Sequence, residues 1–275
     1  MDALLAYEAW LRLGAFVAIF AAMAAWEVHA PRRDPDQVRL ARWPTNLGLL
    51  VVDALLVRLL IPTAAVGVAL LSESHGWGLF NHLDLPGWLA FLLALVVLDL
   101  AIYLQHALFH AVPALWRLHR VHHTDMTFDL TTAVRFHPVE ILLSMGIKMG
   151  LVAALGPPAL AVVIFEVLLN GMAMFNHGNV YLPWEWDRRL RRVIVTPDMH
   201  RVHHSIHPRE TNSNFGFNLS IWDRLFGTYR DQPVDGHTGM TIGLERYREP
   251  RELTLPHLLM QPFRGGARGG SLDNT

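Results

Sequence analysis

Cysteine does not occur in the 275 residues, and that absence removes a long list of chemistries at once. Disulfides, Fe–S clusters, c-type haem attachment, thiolate nucleophiles and cysteine-ligated zinc are all excluded. Charge is scarce as well: Asp, Glu, Lys and Arg make up 17% of the chain, whereas a soluble domain carries about a quarter. The formal net charge of −1 gives nucleic acid no electrostatic reason to bind. No His-Glu-x-x-His occurs, so the zinc-hydrolase arrangement of two ligands flanking a general base is missing. Glu-x-x-His, the signature of soluble di-iron bundles, is missing too. No G-x-G-x-x-G follows a strand, so neither flavin nor nicotinamide is implied.

Apolar residues, by contrast, make up 52% of the chain and come in long blocks, which places the protein in a membrane. Residues 13–26 (LGAFVAIFAAMAAW), extended back towards Leu4, form a first span, 47–71 a second and 87–105 a third. A cleaved signal peptide is the rival reading of the first block, but Asp2 and Glu8 stand where a basic flank is needed. The fourth block, 141–175, exceeds one helix and is broken by Gly156-Pro157-Pro158, so it is expected to fold as a hairpin of two short spans. The expected fold is an all-α integral membrane protein of about four to five transmembrane or re-entrant helices. Residues 1–86 would supply N-terminal spans, 87–235 a histidine-bearing domain, and 236–275 an extension whose Gly-rich end, 264–275, is expected to be disordered. Arg32, Arg33, Arg39 and Arg42 lie in one connection, Arg117, Arg120 and Arg135 in another, and Arg188, Arg189, Arg191, Arg192 and Arg201 after the hairpin. Residues 72–86 carry no Lys or Arg. The positive-inside rule then puts 27–46, 106–140 and 176–275 in the cytoplasm, with a bacterial inner membrane as the expected location. All clustered histidines fall on that side, as a helical cap.

Histidine is the anomaly, with 16 residues. Three clusters stand out: His106-x3-His110, His119-x2-His122-His123 and His200-x2-His203-His204. Helical positions i, i+3 and i+4 share one face, so each cluster aims its imidazoles together. The pentapeptide HRVHH occurs twice, at 119–123 and 200–204, yet the flanks TDMTFD and SIHPRE share nothing. Duplication is therefore a poor account, and two halves of one site remains. Eight imidazoles exceed one zinc or one haem; two six-coordinate first-row ions would use them, and nitrogen ligands favour such metals over Mg or Ca.

The stretches LQHALFHAVPALWRLHRVHHTD, TTAVRFHPVE, FNHGN, VTPDMHRVHHS and ETNSNFGFNLSIWDRLFGTY together resemble the fatty acid hydroxylase/sterol desaturase superfamily of membrane di-iron oxygenases. The resemblance covers roughly residues 90–230. It implies a non-haem di-iron lipid hydroxylase or desaturase with two Fe ions, zinc being able to substitute on overexpression, and O2 as co-substrate. It further implies a lipid substrate drawn from the bilayer (fatty acyl, sterol-like or isoprenoid). A separate electron-donor protein, cytochrome b5-like, a ferredoxin or a reductase, would complete the system. Carried over motif by motif, it gives metal ligands at His106, His110, His119, His122, His123, His200, His203 and His204, with His177 of FNHGN as the further ligand after the hairpin.

Ligand imidazoles usually donate their second N–H to an acceptor. Asp99, two turns before His106 on the same face, is expected to fill that role, as are Asp198, Asn212 and Asn214. His137, held extended before Pro138, is expected to support a ligand or anchor a loop. His207 is expected at the surface, and Arg120 and Arg201 at phosphate headgroups or an acidic electron donor. WDRLFGTY is expected to pack against the metal-bearing helices. Asp53, Arg58 and Lys148 interrupt apolar spans, where charge is costly, and for Arg58 and Lys148 snorkelling or pairing within the bundle is expected. The alternatives, a zinc membrane hydrolase or a non-catalytic metal-binding or transport protein, lack respectively the general-base glutamate and ionisable groups spread through the bilayer.

Overall fold

A computed structural model describes residues 7–34, 39–83 and 85–264. The start of the first span towards Leu4 and nearly all of the Gly-rich end lie outside the described residues. The architecture is helical, and among the described residues β-structure is confined to isolated bridges such as Pro31 with Val180. The helices used below are α1 (Glu8–His29), α2 (Arg39–Leu60), α3 (Ala64–His75), α4 (Gly87–Ala111), α5 (Pro113–His123), α6 (Pro138–Leu155), α7 (Ala159–Asn176) and α8 (Pro197–His203). Five stretches among the described residues are long and apolar enough to cross a membrane, namely α1, the run Arg42–His82, α4, α6 and α7.

The expected second span, 47–71, is two helices rather than one. Pro62 removes a backbone donor at the Ile61–Thr63 junction, so α2 ends at Leu60 and α3 restarts at Ala64. The hairpin forms as its sequence requires. Gly156 caps α6 in the left-handed region (φ +60), and Pro158 launches α7. At 18 residues each, α6 and α7 are about 27 Å long, close to the roughly 30 Å hydrocarbon core. The shared core of α3, α4, α6 and α7 is built from Ala65, Ala69, Leu98, Val152, Val162 and Phe165. Outward faces remain apolar: Leu13, Val17, Leu55, Leu59, Leu92 and Leu168 are exposed, as lipid contact demands.

Charges inside the bundle are mostly matched. Lys148 donates to Glu166 at 2.7 Å, and Arg12 meets the same carboxylate at 2.9 Å and Glu8 at 3.2 Å. Arg58 is exposed in the last turn of α2. α1 belongs to the bundle, packing along α7, and its buried Glu27 accepts from the backbone N–H groups of Leu130 (2.7 Å) and Asn179 (2.8 Å).

Several arginines counted as loop charges prove to be internal ties. Arg42 is bidentate to Asp125 (2.7 and 2.6 Å) and also reaches Asp129 (3.1 Å). Arg135 donates to the Val121 carbonyl, the Asn46 amide and the Thr124 hydroxyl, clamping the start of α2 against the end of α5. Arg120 and Arg201 are likewise buried, which corrects the expectation that they meet headgroups or a donor protein. Arg120 donates to the carbonyls of Gln261 and Arg264, and Arg201 pairs with Asp198 and lies over the Phe128 ring. Each sits inside a histidine box whose five residues, 119–123 or 200–204, are all buried, so the off-ligand face is covered too.

Candidate metal centre

α4 delivers His106 and His110 in its last turns. The chain then reverses at Val112, and Pro113 starts α5, which carries His119, His122 and His123. α7 ends by presenting His177, and α8, opened by a Thr196 cap and Pro197, carries His200 and His203, with His204 as its C-cap. All nine imidazoles are buried at one end of the bundle.

They sort into two groups. His106, His110, His119, His123 and His203 form one, and His122, His177, His200 and His204 the other; the ligand atoms within each group lie within 4.8 Å of one another. Each HRVHH box is therefore split. The i, i+4 pairs His106/His110 and His119/His123 go to the first group and His200/His204 to the second. The i+3 members His122 and His203 cross to the opposite group. The repeated pentapeptide is two halves of one site, interleaved.

Tautomers follow from the partners, because a buried neutral imidazole carries one N–H. Nδ1 of His106 lies 2.8 Å from the Phe215 carbonyl and Nδ1 of His119 2.6 Å from Glu140 Oε1. Both acceptors draw the proton to Nδ1, leaving lone pairs on the two Nε2 atoms, which face each other at 3.1 Å. His203 repeats the pattern: Nδ1 meets the Ser213 carbonyl at 2.7 Å, and its buried Nε2 has no partner among the described residues. In the second group His177 Nδ1 meets the Ala173 carbonyl at 2.7 Å, while its Nε2 lies 3.1 Å from Nε2 of both His122 and His200. Converging lone pairs repel unless a cation sits among them. Two nitrogens bound cis to one ion at ~2.1 Å are about 3 Å apart, so the residues fit a metal in each group. Burial pushes His119 and His177 down to about 3 and holds His122, His123, His200, His203 and His204 well below the ordinary imidazole value. Neutral rings are what ligation needs. Phe136 stacks on His122 at 4.5 Å and Trp116 lies 4.8 Å from His110, giving the centre an aromatic coat.

The supporting residues expected from the sequence divide. Asn212 does reach an imidazole, its Oδ1 lying 3.2 Å from His110 Nδ1. Asp99 does not: it accepts from the Leu219 backbone N–H (3.2 Å) and from Trp222 Nε1 (2.8 Å). It shares a face with His106, but the 219–222 segment lies against that face first. Asp198 is spent on Arg32, Arg201 and the neighbouring His237, and Asn214 on the carbonyls of Met199 and Arg230. His137 is a loop anchor, capping α6 through the Val139 N–H and meeting the Leu259 carbonyl at 3.1 Å. His207 is exposed and pairs with Asp235. The WDRLFGTY stretch packs as expected, with Phe226 stacked on Tyr103 of α4 at 5.2 Å.

Two elements went unread in the sequence. Glu140, in the first turn of α6, is the carboxylate on His119; a lone acid opening an apolar span directly after RFHP was its signal. The other is the backbone of 213–216. The carbonyls of Ser213 and Phe215 hold His203 and His106. Asn214 at φ +53 bends the chain, and Asp223 grips it through the N–H groups of Phe215 (2.7 Å) and Gly216 (2.8 Å).

A cavity of about 370 Å³ opens beside the first group, with His106, His119, Phe136, Glu140 and Phe217 at that end. It runs between α1, α2, α4, α6 and α7 to Lys148, Glu166 and Arg12.

The family model for fatty acid hydroxylase matches residues 91–228, half of the chain and all nine histidines. The chain belongs to this family. It is 29% identical over 222 residues to an alkylglycerol monooxygenase of Xenopus tropicalis, covering 78% of this chain and 47% of that protein. It is 28% identical over 239 residues to the ornithine lipid hydroxylase OlsE of Rhizobium tropici, covering 85% and 69%. A human cholesterol 25-hydroxylase is 30% identical over 147 residues, covering 52% of each chain. The chain thus spans about half the length of the alkylglycerol monooxygenase and of the cholesterol hydroxylase. No solved structure matches.

Proposed function

We propose that this fatty acid hydroxylase family member is a membrane-bound di-iron monooxygenase that hydroxylates a C–H bond of a lipid, with O2 as co-substrate. The observation that carries the reading is the pair of Nε2 lone pairs of His106 and His119, facing each other at 3.1 Å at the head of the cavity. His106, His110, His119, His123 and His203 would hold one iron, and His122, His177, His200 and His204 the other. Iron there supplies redox chemistry for O2. Zinc fits the same imidazoles and would enter on overexpression. The relatives named as hydroxylases and monooxygenases of lipids support hydroxylation over desaturation.

The chain's own groups set the rest. The apolar walls of the cavity, including Leu50, Val57, Ile102, Met145 and Leu169, take a hydrocarbon chain and exclude water. His106 and His119 belong to the first histidine group and line the cavity, so a carbon seated there would lie beside the ion that group would hold. Glu140 holds the His119 ring in one orientation and tautomer. Electrons would come from a separate donor protein. Residues 87–235 form the proposed di-iron unit, with Arg12 of α1 and Leu50, Asp53, Ala54 and Val57 of α2 closing the cavity, and the carbonyls of Leu259 and Gln261 holding His137 and Arg120. The exposed Arg188, Arg189 and Arg192 on the histidine side support a cytoplasmic site, as in a bacterial inner membrane.

Metal analysis of detergent-purified protein from iron-replete cells tests this, together with mass spectrometry of lipids from cells with and without the gene. About two irons per chain and a lipid gaining one oxygen are expected. Full activity with one metal ion per chain would overturn the dinuclear reading, and a lipid losing two hydrogens would make the enzyme a desaturase.

A further inference from the structure

The run LGLLVVDALLV places one carboxylate, Asp53, in the middle of an apolar helix. Leu50, Asp53, Ala54 and Val57 fall at i, i+3, i+4 and i+7, so they share the face of α2 that lines the cavity. Asp53 is only 6% exposed, and its Oδ1 has no hydrogen-bond partner among the described residues. An unmatched acid inside a membrane bundle is costly, and such groups mark binding or transport sites.

The cavity's cations do not answer it. Glu166 is shared between Lys148 and Arg12, and Arg12 also meets Glu8. The other acid on the cavity wall, Glu140, faces His119 through Oε1 and leaves Oε2 without a partner. The wall's neutral polar groups are engaged elsewhere, Gln105 donating to Ser144 (2.8 Å) and Asn170 to the Glu166 carbonyl (2.9 Å), so Asp53 Oδ1 and Glu140 Oε2 are left without a partner among the described residues. A lipid carboxylate or phosphate seated there would find Lys148 and Arg12 already committed to Glu166, whereas a group with an O–H or N–H would complete the two unpartnered oxygens.

We propose that Asp53 is a specificity-determining residue that accepts a hydrogen bond from a hydroxyl or amide N–H of the lipid, within the cavity and close to the carbon presented at His106 and His119. This deepens the hydroxylase reading and rests on it. The substrate class it selects is a lipid with a neutral donor group inside the bilayer, not a free fatty acid and not a bare hydrocarbon.

The test is equilibrium binding to the full chain in detergent, followed by displacement of radiolabelled hexadecanol. The probes share one chain: hexadecanol, hexadecanamide, hexadecyl methyl ether, hexadecane and palmitate. Wild type should bind the alcohol or the amide about tenfold more tightly than the ether, the scale of one hydrogen bond. Whichever donor binds better identifies the source. Asp53→Leu should bind alcohol, amide and ether alike. Asp53→Asn keeps an acceptor but adds a donor, so it should hold hexadecanol while binding the ether more tightly; this variant serves if the leucine protein fails to fold. A donor preference that survives in Asp53→Leu, an unchanged alcohol-to-ether ratio in Asp53→Asn, or palmitate as the tightest wild-type ligand would each overturn the proposal. No turnover is read, so a chain that binds as expected yet oxidises no lipid would sink the hydroxylase reading alone.

Discussion

The two histidine groups share α5 and α8, the first adding α4 and the second the end of α7, but they have different surroundings. In the first group four of five rings are backed on Nδ1: His106 by a carbonyl, His110 by Asn212, His119 by Glu140 and His203 by a carbonyl. In the second only His177 is backed, by Ala173 of its own helix, whereas Nδ1 of His122, His200 and His204 finds no partner among the described residues. The backed group also faces the cavity. Imidazoles held by a second hydrogen bond are better bases and cannot rotate away. The difference therefore separates a fixed, cavity-facing group from a looser one behind it.

The largest effect expected from breaking this arrangement is loss of a ligand. His119→Ala or His203→Ala should reduce hydroxylation to background and lower iron towards one per chain, while His122→Ala should do the same through the other ion. Lipid product and metal content per chain check it. A His203→Ala protein that keeps both irons would remove His203 from the first group.

Smaller effects sharpen the asymmetry. Glu140→Ala leaves every imidazole in place but frees the His119 ring, and should cost roughly 10–100-fold in activity or iron affinity. Glu140→Gln retains an acceptor and should fall between it and wild type. A chelator should remove metal in two stages, the unbacked group emptying first, with a plateau near one ion per chain. Simultaneous loss of both ions would show that hydrogen bonds behind the ligands do not set retention here.

Asp99 shows where reading a sequence stops. Helical periodicity put it on the face of His106 correctly, yet periodicity gives a direction and not the partner met along it. The partner is the 219–222 segment, 120 residues away in sequence. The histidine boxes were legible because i, i+3 and i+4 spacing is local, and the hairpin because Gly-Pro-Pro stops any helix. The backing of His106 and His203 was not, because a main-chain carbonyl carries no residue-type signature. The sorting of each HRVHH box into two groups was hidden for a related reason: i+3 and i+4 share a face, and only the opposing helix decides which group each ring joins. Asp99→Ala should accordingly cost stability, about 1–3 kcal/mol for the stranded Trp222 and Leu219 donors. Iron content should stay near wild type, as a denaturation curve in detergent and metal analysis would show.

The smallest effect belongs to the one histidine that continues the spacing of the third box without joining it. His207 follows His204 at i+3, so spacing alone would add it to the ligands. Yet α8 ends at His203, and Pro208 starts a new turn, with His207 extended as its cap (φ −77, ψ 121). The ring points outwards and pairs with Asp235 at 2.9 Å, both side chains about half exposed. That hydrogen bond raises the His207 pKa above its ordinary value. The charged pair is therefore present below the ordinary imidazole value, while the carboxylate stays ionised, and is lost as pH rises through the raised value. Exposed pairs of this kind contribute about 0–1 kcal/mol. His207→Ala should therefore leave iron content, lipid product and their response to chelator unchanged. If it stripped metal as His203→Ala does, the third box would have to be re-registered by one helical turn, and the partition into five and four would fall with it.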